Sequence, residues 1–471
     1  MTAAALSISF EIHYTSKVFY IYKENNKYPP EPTFGYIVIF TIFAQLHLHM
    51  KVLIKKAFIR CGTSPFHLQT KDILIENGMI ANVAHDIEAS DVTLISQDGL
   101  ELSTGWVDTL SDFADPGNEQ KETIITGARA AAAGGFTDVI LMPDTYPTLS
   151  NKAQLEYILQ KAAGTAVFIH PMGTVTKDGA GSQLAEMYEM YNSGAIAFSD
   201  GRKPLQHAGV MLKALQYVLP ANKRIVQLPN DKSLKAHGLM NEGITSTKLG
   251  LPGSPAIAEE LMITRDIALV KYTGGKLHVS CVSTANGLAQ IAAAKADVLD
   301  ITCSVTPHHA WFCDEDLDSY DCNLKVEPPL RSRADMLAVR AALQTGAVDC
   351  IGTQHLPHHW DDKTCEFEYA KPGMIGLQTA FAVLLNAGVN IDDIITLFTD
   401  SARAAFALPP RTINIGETAC ITLFNCNTPF TFTKENNQSA SQNSPFFGTT
   451  FKGSVVGIIN KNTCVLNPYH E

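Results

Sequence analysis

Residues 104–117 read Thr104-Gly105-Trp106-Val107-Asp108-Thr109-Leu110-Ser111-Asp112-Phe113-Ala114-Asp115-Pro116-Gly117, and their reading decides the fold. Further segments follow in order. They are Lys121-Glu122-Thr123, the glycine- and alanine-rich run from Gly127 to Thr137, Met142-Pro143-Asp144-Thr145 and Gly173-Thr174-Val175-Thr176-Lys177. Then come Ala197-Phe198-Ser199-Asp200-Gly201, Met240-Asn241-Glu242-Gly243, Leu249-Gly250-Leu251-Pro252-Gly253 and Val282-Ser283-Thr284-Ala285. Val305-Thr306-Pro307-His308-His309 and Pro328-Pro329-Leu330-Arg331-Ser332 complete the series.

This ordered series resembles the dihydroorotases, cyclic amidohydrolases of pyrimidine synthesis, over roughly residues 50–465. Residues 104–117 match that family's frame PG-(L/F)-(I/V)-D-x-H-x-H-(L/F)-R-(E/D)-PG. The two metal-binding histidines of the frame fall on Leu110 and Asp112, and its substrate arginine falls on Ala114. The frame is present and its chemical groups are replaced.

Between residues 105 and 408, apolar β-rich runs alternate with helical patterns. The runs include 137–141, 166–170, 195–198, 224–227, 276–280, 300–305 and 347–352. The helical patterns include 125–133, 182–192, 256–271 and 334–344. Such alternation argues a parallel α/β sheet. About eight units over ~300 residues fit a TIM (β/α)8 barrel. Residues 50–104 carry short β-type runs split by turns such as Asn77-Gly78, and residues 409–471 carry two more runs. The resemblance implies that these two ends build one small β-sandwich. Residues 1–49 stand outside the family pattern and read as a doubtful extension ahead of Met50. Their apolar stretch 34–46 is shorter than the ~20 residues that span a bilayer. His47-Leu48-His49 imitates an H-x-H outside the expected strand.

Composition narrows the function classes. The formal net charge is −11, which disfavours a nucleic-acid surface, and no Lys/Arg run would attract anionic lipid. Ten cysteines without a C-x-x-C pair read as reduced thiols of a cytoplasmic protein.

In a two-metal amidohydrolase, imidazoles and carboxylates at the strand ends hold cations that turn water into hydroxide near neutral pH. The resemblance assigns the positions of that site. Leu110 has no lone pair to donate, whereas Asp112 could donate one. Asp200 stands at the bridging carboxylate, or serves as a hydrogen-bonding residue of the barrel top. Gln227 aligns with the next histidine, within one residue of register. Cys281 takes the position of the histidine that precedes V-S-T-A, and reads more readily as a buried thiol than as a ligand. His278 is kept but is not the family's principal ligand. Gln354 replaces the general-base aspartate; an amide cannot take the proton of a metal-bound water, and such a loss is typically worth ~10²–10⁴ in rate. Ala114 cannot form an arginine's fork on a carboxylate. Asp144 and Glu327 replace asparagines and are expected to add negative charge where an anionic substrate would sit. His308, His309, His355 and His358 follow scaffold patterns.

These replacements imply a chain with no catalytic residue, no metal ligand set and no cofactor, retained as a scaffold or partner subunit in a homo- or hetero-oligomer. The family suggests aspartate transcarbamoylase as the partner. The alternative is an active dihydroorotase, or a hydrolase of another cyclic amide, with one zinc held by Asp112, Asp200 and Cys281.

Overall fold

The computed structural model describes residues 50–468. The expectations for residues 1–49, including the His47-Leu48-His49 decoy, lie outside the described residues.

Two ends of the chain share one eight-stranded sheet. Its path runs Thr463–Leu466, Thr450–Asn460, Ile421–Thr431, Glu101–Thr104, Lys51–Ile59, Thr70–Glu76 and Met79–Ala84, with Thr93–Ser96 beside Lys51–Ile59. Alternation fixes the buried face: Val52, Ile54, Ile73, Ile75, Ile421 and Leu423 pack into one apolar cluster. Asn77-Gly78 makes the turn between Thr70–Glu76 and Met79–Ala84, with both residues at positive φ.

Seven strands of the middle segment form two parallel arcs. One arc is Trp106–Ser111, Phe136–Leu141 and Phe168–Pro171. The other is Cys350–Ile351, Ile301–Val305, Lys276–Val279 and Arg224–Gln227. Single parallel bridges join Gly173 to Phe198, Phe198 to Ile225, and Ser111 to His355. Every residue of Trp106–Ser111 and of Phe136–Leu141 is buried, as expected of strands covered on both faces. Trp106 anchors the packing, with the rings of Phe381, Phe398 and Phe424 at 5.1, 5.2 and 5.5 Å.

Helices follow the strands. Ile124–Ala133 starts at Thr123, whose hydroxyl accepts from the backbone N–H of Thr126 in a capping box. Its alanines lie flat against the sheet, and a Cβ on Gly127 would come within 2.5 Å of the Phe113 ring. Two local expectations fail. Residues 195–198 contribute single bridges at Phe198 rather than a strand. The helix expected over 182–192 is confined to Met187–Asn192, because Leu184 and Ala185 bond back to Thr176 and Val175. Among the described residues, no helix is long and apolar enough to cross a membrane.

Candidate functional site

The strand ends Leu110, Gln227, Cys281 and Gln354 are all buried, but they do not converge on one polar centre. Leu110 and Cys281, two of the expected histidine positions, share an apolar cluster with Ile140, Met142, Met172 and Leu228. They are 3% and 0% exposed. Burial, reinforced by Asp108 and Glu259, pushes the Cys281 thiol well above its usual range, so it stays protonated. Apolar side chains pack around both positions, as the leucine and the buried-thiol reading of Cys281 implied.

Gln227 faces the other way. Its side-chain oxygen accepts from the Leu205 N–H at 3.2 Å, and its amide nitrogen donates to Leu205 O at 3.4 Å and to Asp266 Oδ2 at 3.3 Å. Asp200 is saturated: it accepts from the backbone N–H groups of Val175 and Thr176, both at 2.9 Å, and from the Thr176 hydroxyl. Gln354 donates to the backbone oxygen of Glu327 at 2.6 Å. His278 sits between the hydroxyls of Thr302 (2.9 Å) and Ser304 (3.1 Å), and burial holds its ring neutral.

Asp112 and Asp144 do come together, around a residue the sequence reading passed over. The Arg202 guanidinium lies 3.7 Å from each carboxylate, and the Arg202 backbone N–H donates to Asp144 at 3.1 Å. Gly201 makes this approach feasible. It has φ 61°, and a Cβ there would stand 1.9 Å from Asp144 Oδ2. Asp112 also accepts from the Ala114 N–H at 2.7 Å. Glu327 is paired separately with the Lys235 ammonium and accepts from Asn230 Nδ2 at 2.5 Å. Asp112 and Asp144 share the one Arg202 guanidinium. Arg202 stands two residues after Asp200, and that short spacing was the available signal; nothing local marked Lys235.

The backbone of the site is unusual where its side chains are not. Ala114, Cys281 and Gln354 hold φ of 56°, 55° and 50°. Left-handed backbone costs an L-residue roughly 1–2 kcal/mol, and such positions concentrate at functional sites.

The cleft that remains is lined by Asp112, Ala114, Lys121, Asp144, Arg202 and His358, and holds about 30 Å³. That is room for one or two waters, against roughly 300 Å³ or more for a small-molecule pocket. A cavity of about 310 Å³ lies elsewhere, between helix Ile124–Ala133 and residues 465–468. Among the described residues, no group of three or more His, Cys, Asp or Glu could hold a metal ion. The two-cation centre implied by the sequence resemblance does not fit these residues.

Parallel strands with following helices, and a sheet drawn from both ends of the described residues, define a mixed α/β fold. The solved L-hydantoinase (dihydropyrimidinase) from Arthrobacter aurescens superposes with a TM-score of 0.77 at 22% identity, covering 89% of this chain and 96% of that one. A D-hydantoinase from Thermus sp. gives 0.75 at 18%, covering 88% and 95%. A dihydro-orotase-like family model matches residues 101–287. A dihydroorotase of Syntrophus aciditrophicus is 40% identical over 395 residues, 82% of this chain and 92% of that protein. One of Syntrophotalea carbinolica is 38% identical over 390 residues, with the same coverage. The chain belongs to the dihydroorotase family.

Proposed function

We propose that this chain is a non-catalytic member of the dihydroorotase family, kept in pyrimidine synthesis as a cytoplasmic scaffold or partner subunit. The observation that carries the reading is the packing of Leu110 and Cys281 in one buried apolar cluster. A cation there would be desolvated without ligands, and burying an unpaired charge is prohibitive. Gln354 offers no base, and Arg202 stands as the cation between Asp112 and Asp144. The proposed partner is aspartate transcarbamoylase, on family resemblance. We also read the two parallel arcs as one closed barrel over 105–408, and the terminal sheet as the family's small sandwich, from 50–104 and 409–471. The three bridges between strand ends support the closure.

The test is metal analysis of the purified full chain, followed by dihydroorotate hydrolysis with added zinc. Less than a tenth of an equivalent of metal and no turnover are expected; stoichiometric zinc with turnover overturns the proposal. Co-purification from native extract tests the partner, and a solitary chain counts against it. A second reading has its own support: 40% identity over 92% of a protein named dihydroorotase. On that reading Asp112, Asp200 and Cys281 would share one zinc and open a cyclic amide, and the same zinc measurement decides between the two.

A further inference from the structure

Beside the mouth, two loops meet through their cysteines. Cys322 opens the short 3-10 turn Cys322–Leu324, and Cys365 follows the turn Trp360–Asp362. The Cys322 thiol donates to the backbone oxygen of Cys365 at 3.1 Å. A cysteine sulfur swings about χ1 within a few ångströms of its own carbonyl. This contact brings the Cys322 sulfur against the Cys365 backbone, and the two thiols lie close enough to act on each other electrostatically; a disulfide needs Cα atoms roughly 4.4–6.8 Å apart.

Both side chains are half-buried, so a small oxidant can reach them, whereas Cys281, Cys303, Cys350 and Cys420 are buried. The loops are also held in register by lysines. Lys363 donates to Cys322 O at 2.8 Å, and Lys325 donates to Phe367 O at 2.7 Å and Glu368 O at 2.9 Å. Burial and the neighbouring Cys365 raise the Cys322 thiol, while Lys363 and Lys325 pull it back toward the thiolate.

We propose that Cys322 and Cys365 form a reversible disulfide that ties the loop bearing Glu327 to the loop bearing His358. The oxidant is a small-molecule disulfide. One protein thiolate attacks a sulfur of the oxidant, forming a mixed disulfide and releasing one small thiol. The second protein thiolate attacks the protein sulfur of that intermediate; the new S–S bond forms, the mixed one breaks, and a second small thiol leaves. Two electrons pass to the oxidant, and the two protons of the protein thiols end on the small thiols. The site is independent of the catalytic question.

The test incubates the full chain with oxidised glutathione, unfolds it in denaturant at low pH, alkylates the remaining thiols in denaturant and analyses non-reduced peptides by mass spectrometry. We expect eight alkylated cysteines of the ten, a linked Cys322–Cys365 peptide that dithiothreitol dissolves, and no such peptide in Cys322→Ser or Cys365→Ser. Both cysteines alkylated, glutathione retained on either one without a link, or a link to another cysteine each overturns the proposal.

Discussion

Asp144→Asn restores the residue that the family usually has at this position, and the structure gives the consequence a sign and a size. Burial raises the Asp144 carboxyl from its ordinary 3.8 to about 6; Arg202 opposes the rise and Asp112 adds to it. The side chain is only 9% exposed, so the shift is a stability term. Below about pH 4 both folded and unfolded chains carry the proton, and the site costs nothing. Between about 4 and 6 the unfolded chain loses its proton first, so stability falls as pH rises. Above 6 the full penalty stands, about 2 units at 1.36 kcal/mol each, or about 3 kcal/mol. Asparagine stays neutral and still offers an oxygen to the Arg202 N–H. The value of about 6 already includes the pull of Arg202 on the charged carboxylate, and Arg202 keeps Asp112. The variant should be about 3 kcal/mol more stable at pH 8, and the gain should vanish near pH 4. Urea unfolding followed by fluorescence at several pH values measures this. A variant less stable at pH 8, or a gap that does not change with pH, refutes the reasoning.

Other perturbations have equally definite outcomes. Leu110→Ala should cost about 2–5 kcal/mol in the same unfolding assay, because it opens a cavity in the apolar cluster around Cys281; a loss below 1 kcal/mol would mean that the cluster is not close-packed. Arg403→Ala should cost about 3–5 kcal/mol, since it breaks a buried pair, Arg403 to Asp138 at 2.7 Å with both side chains under 5% exposed, and leaves Asp138 only His170 and the Thr137 hydroxyl. Asp138→Asn added to that variant should recover part of the loss, and purely additive losses would contradict the pairing. Asp266, raised to about 6 by burial against the opposing pull of Arg265 2.8 Å away, should behave like Asp144: in the same assay Asp266→Asn gains stability at pH 8 and not at pH 4.

The sequence alone determined the family frame and the alternation of strands and helices; that residues 50–104 and 409–471 come together was an implication of the resemblance. Those features are legible because they rest on local periodicity and on motifs of fixed spacing, such as Asn77-Gly78 and the frame over residues 104–117. It also located the altered positions one by one: Leu110, Asp112, Ala114, Asp144, Gln227, Cys281, Glu327 and Gln354. What became of those positions was decided in three dimensions. No local signal says that Leu110 and Cys281, 171 residues apart, pack into the same hydrocarbon. Nor does any say that Lys235 reaches Glu327, or that Gly201 lets Arg202 settle between two carboxylates. Long-range electrostatics and packing depend on which strand ends meet. That is a property of the closed chain, and residue order expresses it only after the fold has formed.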